Sequence, residues 1–122
     1  MTTSIEKANK QSMFSAFQLI ETFRELHPEM PMQMASTFLI IAMRPGISQR
    51  DLMKFSTISQ QSISRNVAAL SAINRHGEPG LALVIQRRDP RDARITVLHL
   101  TALGKQLIER VFLAVDGRES GG

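Results

Sequence analysis

Residues 47–74 read ISQRDLMKFSTISQQSISRNVAALSAIN, and two serines that each follow an isoleucine set the reading of the fold. Ser48 stands ahead of an apolar run with Asp51 three positions on, near the positive end of a helix dipole, and Ile47 is spaced to staple onto Leu52. A short helix therefore starts there and ends near Phe55. After Ser56-Thr57 the device recurs, with Ser59 as cap and Ile58 spaced to staple onto Ile63, so another helix runs to about Ala72 or Asn74. Along it Ile63, Val67, Leu70 and Ile73 form a buried stripe and leave Gln60, Gln61, Ser64, Arg65 and Ala68 outside. That outer face is polar and almost uncharged.

Upstream, Met13, Phe14, Phe17, Ile20, Phe23 and Leu26 recur at spacings of three and four over Ile5 to Leu26, the stripe of an amphipathic helix that Pro28 and Pro31 stop. From about Gln33 to Met43 the chain is apolar on most sides, which predicts a buried helix broken by Arg44-Pro45-Gly46. Downstream, the stretch from Arg75 to Gly80 is turn-rich. Leu81 to Arg88 and Arg94 to Leu100 then read as two strands of one hairpin around Asp89-Pro90-Arg91-Asp92-Ala93. Thr101 caps a last helix carrying Leu103, Leu107, Ile108, Val111, Phe112 and Val115. The expected fold is mainly α with a small β-hairpin, a winged helix-turn-helix. One domain covers 1–115, with 33–100 as the core, 1–27 and 101–115 as dimerisation helices, and 116–122 as a disordered tail.

This order places two candidate contact elements side by side. The N-terminal residues of the helix after Ser59, namely Gln60, Gln61, Ser62, Ser64 and Arg65, are donors and acceptors of the kind that read base edges: glutamine pairs with adenine and arginine with guanine. The competing reading is a solvated polar face on a core helix. The hairpin tip gathers Arg87, Arg88, Arg91 and Arg94 against only Asp89 and Asp92. Asp92 is expected to orient Arg94, leaving Arg88 and Arg91 for phosphates or a narrow minor groove. The blander reading has both aspartates neutralising their neighbours and organising the loop.

Charge distribution agrees with a polyanionic partner. Between Arg44 and Arg94 nine basic residues face four acidic ones, a net +5, while the rest of the chain holds six against seven. In 122 residues there is room for one modest core, and no apolar run approaches the roughly 20 residues that span a bilayer. No signal or transit pattern opens the chain, so a cytoplasmic location and no membrane partner are expected. Zero cysteines exclude disulfides, thiolate zinc sites and thiol chemistry. His27, His76 and His99 are scattered without metal-ligand spacing, the serines from Ser56 to Ser64 have no local base, and the glycines form no phosphate loop. No catalytic residue, metal or cofactor is expected.

Two segments carry a family resemblance. Arg87-Arg88-Asp89-Pro90-Arg91-Asp92-Ala93-Arg94 followed by Leu100-Thr101-Ala102-Leu103-Gly104 resembles the wing signature of the MarR-type winged-helix transcription regulators, an Asp and Arg pair running into a Leu-Thr-x-x-Gly helix start. Ile58 to Arg65 is similar to their recognition helix, and the resemblance covers about Gln33 to Leu107. It implies a homodimer, more a repressor than an activator, on a roughly palindromic double-stranded DNA site. Ser59, Gln61, Ser62 and Arg65 stand at positions that contact DNA in the family, and Arg94 at its wing arginine. Relatives often sense small molecules between the dimerisation helices and the winged domain. With no Trp or Tyr, such a pocket here would be lined by Phe and Met, and no effector is identified. The alternative from another class is a winged-helix adaptor that binds a transcription or replication protein with little DNA contact.

Overall fold

The structure is a computed structural model that describes residues 4–72 and 77–116. Of the expected tail 116–122, Asp116 belongs instead to the last helix and 117–122 lie outside the described residues, as do Ile73 to His76, where the predicted recognition helix was expected to end. Among the described residues, five helices and a small sheet follow in the order α1 (Ser4–Leu26), α2 (Met32–Met43), β1 (Ile47–Ser48), α3 (Gln49–Phe55), α4 (Gln60–Leu70), β2 (Val84–Arg88), β3 (Thr96–Leu100) and α5 (Ala102–Asp116). This is the winged helix-turn-helix arrangement. Two compact units result, one of Pro31–Gln106 and the other of α1 together with α5 from Leu107 onward.

In the first unit the periodicities do what their spacing dictates. Phe38 and Ile41 of α2, Leu52 of α3, and Ile63, Val67 and Leu70 of α4 are at most 1% exposed, and Leu83 and Leu98 of the sheet region join them. Burying a side chain of that size contributes about 1.5–3 kcal/mol. Ser48 caps α3 as expected, its Oγ accepting the Asp51 N–H at 3.0 Å. The turn before it needs Gly46, whose φ of +88° lies in the left-handed region that glycine alone enters without strain.

The sheet has three strands in the order β1-β3-β2, all antiparallel, and not the two expected from sequence. β1 is only Ile47–Ser48, paired with Leu98 and Val97. Two residues cannot show a period, and their partners lie about fifty positions away. The other two differences share a cause. α4 stops at Leu70 because the returning chain takes its last carbonyls: Leu81 N–H donates to Ala69, Leu83 to Leu70 and Ala82 to Ser71. Bound there, with Ala82 at φ +57°, residues 81–83 cannot extend the ladder, so β2 begins at Val84 and not at Leu81.

The root of the wing is fastened at α5. Thr101 Oγ1 donates to the Ala82 carbonyl at 2.7 Å and accepts the Gly104 N–H at 3.0 Å, while the Thr101 N–H donates to the Leu83 carbonyl at 3.0 Å. A Cβ on Gly104 would sit 2.2 Å from that Leu83 oxygen. The Leu-Thr-x-x-Gly segment is thus a clasp: the threonine caps α5 and grips the strand entry, and the glycine lets the two backbones meet.

In the other unit, the Glu25 carboxylate of α1 pairs with Arg110 of α5. Phe23, Leu107 and Val111 are buried, whereas Met13, Phe14, Phe17 and Ile20 on α1 and Phe112 and Val115 on α5 stay 50–64% exposed. The α1 stripe read from the sequence is therefore mostly uncovered in a single chain. The rings of Phe14 and Phe17 are 6.3 Å apart.

Candidate nucleic-acid interface

The start of α4, the helix read from the sequence as a DNA-recognition helix, is set by its cap. Ser59 has extended backbone (φ −66°, ψ 159°), and its Oγ accepts the Ser62 N–H at 3.3 Å while donating to Ser62 Oγ at 3.1 Å. With Ile63, Val67 and Leu70 turned inward, Gln60, Gln61 and Arg65 are exposed, and Ser62 and Ser64 are half-buried. The amides and the guanidinium are thus the accessible polar groups on this helix. The hydroxyls of Ser59 and Ser62 are partly spent on each other. Arg65 has no ion-pair partner among the described residues, so its charge is available. Asn66 lies inside, 8% exposed, with Nδ2 unpartnered among the described residues, a position the sequence reading did not single out.

The wing tip is organised by its two aspartates. Asp89 Oδ1 accepts the Arg91 N–H at 2.8 Å, and its own N–H donates to the Ile95 carbonyl at 2.8 Å, closing the loop. Asp92 accepts from Arg94 three times: at Oδ1 from the backbone N–H (3.1 Å) and Nε (3.0 Å), and at Oδ2 from a terminal nitrogen (2.9 Å). The Arg94 side chain, and then its backbone N–H, hold the Asp92 carboxyl below the usual carboxylate range, and the same pair raises the guanidinium. Arg94 is nevertheless 89% exposed at its side chain, so it is aimed rather than hidden. The expectation that Asp92 orients Arg94 agrees with this geometry. Arg91 has a free guanidinium among the described residues. Arg88 is not wholly free: one terminal nitrogen donates to the Ala93 carbonyl at 3.4 Å, a weak bond to a neutral acceptor that leaves its charge unpaired.

Two features escaped the sequence reading. Gln49 Nε2 donates to Gln86 Oε1 at 3.5 Å, joining α3 to the wing strand β2. Arg50 and Lys54, four apart on the exposed side of α3, line a cleft with Arg94, Ile95 and Thr96 from the wing. Their helical spacing was visible in the sequence, but their nearness to the wing was not. Among the described residues no three His, Asp or Glu side chains converge as metal ligands would, and no helix is long and apolar enough to cross a membrane.

No protein-family profile matches the chain, and no curated protein matches it in sequence. Solved structures do match it in fold. A MepR variant of S. aureus bound to an oligodeoxyribonucleotide is 18% identical with a TM-score of 0.68, covering 96% of this chain and 79% of that one. A MarR variant from E. coli complexed with operator DNA is 16% identical with a TM-score of 0.61, covering 88% and 67%. The PcaV transcriptional regulator from Streptomyces coelicolor, in complex with its natural ligand, is 22% identical with a TM-score of 0.56, covering 84% and 70%. The fold is that of the MarR-type winged-helix regulators.

Proposed function

We propose that the chain is a sequence-specific double-stranded DNA-binding regulator of transcription, acting as a homodimer in the cytoplasm and repressing by occlusion of a promoter. The observation that carries this reading is the wing arginine. Arg94 is pinned by a bidentate aspartate yet left almost fully in water, in the same compact unit as a capped helix that presents Gln60, Gln61 and Arg65. A structural ion pair has no need of exposure, because in water it contributes almost nothing to stability. A pre-aimed cation, by contrast, loses less side-chain freedom on meeting a groove. Two of the fold neighbours are bound to DNA, which supports the same reading.

In this reading α4 enters the major groove, with Ser59, Gln60, Gln61, Ser62, Ser64 and Arg65 as its contact residues. Arg88, Arg91 and Arg94 of the wing take phosphates and the neighbouring minor groove. The uncovered apolar stripe of α1, with Phe112 and Val115, supplies the dimer surface, and the symmetry of the dimer calls for half-sites about one helical turn apart, roughly 10 base pairs. No catalytic step is part of this function. Selection from random duplexes tests it: an enriched palindrome is expected. Flat enrichment beside a stable complex with a transcription or replication protein overturns it in favour of an adaptor.

A further inference from the structure

The wing is rooted on the end of α4 without slack. Residues 80–83 donate four consecutive backbone N–H groups to the carbonyls that close the helix: Gly80 to Ala72 at 2.8 Å, Leu81 to Ala69 at 3.0 Å, Ala82 to Ser71 at 3.2 Å and Leu83 to Leu70 at 2.8 Å. Gly80 runs so near that a Cβ there would sit 2.0 Å from the Ser71 oxygen. This strap is also gripped by Thr101, just ahead of α5, whose Oγ1 donates to the Ala82 carbonyl at 2.7 Å and whose N–H donates to the Leu83 carbonyl at 3.0 Å. The next residue, Val84, is already paired with Leu100 in the wing.

Ala82, inside the strap, has φ +57°, and no other non-glycine residue among the described ones has a positive φ. The left-handed region is unfavourable for a residue with a Cβ, and it persists only where the surroundings hold it. Ala82 is held at both of its backbone polar groups: the N–H by Ser71 at the end of α4, and the carbonyl by Thr101. Its strained backbone therefore sets the direction in which β2 leaves the helix.

Direction matters because the wing is a lever. The strand Val84–Arg88 rises about 3.4 Å per residue, which puts the wing tip roughly 17 Å from the strap. A turn of about 10° at the root would move the tip by about 3 Å, nearly the rise of one base pair, about 3.4 Å. We propose that the strap is a gauge of groove spacing, with Ala82 as its positioning residue. It fixes the angle between α4 and the wing, so the chain prefers duplexes whose minor-groove contact falls at one distance from the half-site. The proposal rests on the DNA-binding reading above and adds a spacing preference to it.

The experiment titrates the full chain against a selected duplex and against the same duplex with one base pair inserted on the outer side of each half-site. The insertion shifts the wing contact by about 3.4 Å and turns it by roughly 35° about the axis, and the native chain should bind the lengthened site at least about fivefold more weakly. In Ala82→Gly that penalty should shrink by about two- to fivefold, the freedom that a glycine adds at one backbone position. The fold should survive, because glycine enters φ +57° without strain: Tm should stay within about 4 °C of the parent. Thr101→Val, which removes the hydroxyl that holds the Ala82 carbonyl, should shrink the penalty as well, and Thr101→Ser should restore it. Thermal unfolding sets a titration temperature at which every variant is folded.

An insertion penalty that is the same in folded Ala82→Gly and Thr101→Val as in the native chain overturns the proposal while the DNA-binding reading stands. So does a native chain that binds both duplexes equally well, since no spacing is then preferred. If the unmodified chain binds no duplex, both readings fall together.

Discussion

Gly104→Ala measures how firmly the wing is clasped. The added Cβ would lie 2.2 Å from the Leu83 carbonyl oxygen, where ordinary contact begins at 3.4 Å, and 3.3 Å from Leu100 Cβ. Neither neighbour is the free end of a flexible side chain, so the backbones of α5 and of residues 82–83 must part by about an ångström. Three effects compete. Alanine in place of glycine favours the helix by about 1 kcal/mol. Overpacking against backbone costs about 1–3 kcal/mol. The Thr101 N–H bond to the same Leu83 oxygen, 3.0 Å in the native chain, is stretched at a cost of about 1 kcal/mol.

The costs outweigh the gain, leaving a net destabilisation of about 1–3 kcal/mol. In a chain of this length that lowers Tm by roughly 4–12 °C. Urea titration and thermal unfolding read the stability directly, and the folded variant at low temperature should also bind a selected duplex more weakly because the wing root has shifted. A variant as stable as the parent within about 0.5 kcal/mol, or more stable, would refute the clasp.

Arg65→Ala should cost about 1–3 kcal/mol of duplex affinity and relax preference at one position, whereas Arg91→Ala should weaken every sequence alike and reduce the salt slope by about 0.9; equilibrium titrations of selected and scrambled duplexes separate the two. Asp92→Ala frees the Arg94 side chain and should weaken binding about three- to tenfold at any pH where the native carboxylate is ionised. Because the folded carboxyl sits below its ordinary 3.8, the native pair is intact from neutral pH down through that value and is lost only as pH falls through the lowered one, so the difference between native chain and variant should stay flat from pH 7 to about 4. Ser59→Ala removes the α4 cap and should cost about 0.5–2 kcal/mol in thermal unfolding.

What could be read from the sequence was what neighbours in the chain decide. The caps at Ser48, Ser59 and Thr101 and the inward stripe of Ile63, Val67 and Leu70 follow from spacings of three and four, and they appear where those spacings put them. The grip of Asp92 on Arg94 is equally local. What escaped depends on residues far apart in the chain. The end of α4 is fixed by amide donors of residues 80–83, which the helix pattern of residues 60–74 does not contain. β1 exists only because β3 lies beside it. Arg50 and Lys54 look in the sequence like any solvated helix face, and only the fold brings Arg94 to the other side of their cleft.

The central claim is that α4 and the wing of each subunit engage adjacent grooves of one duplex, and a single reagent interrogates both grooves. Dimethyl sulfate methylates guanine N7 in the major groove and adenine N3 in the minor groove. Interference on a selected duplex should therefore appear at guanines inside each half-site and at adenines flanking it, in a two-fold pattern about 10 base pairs apart, with the guanine signal lost in Arg65→Ala. Interference confined to one groove, or none in a complex that still forms, would contradict it.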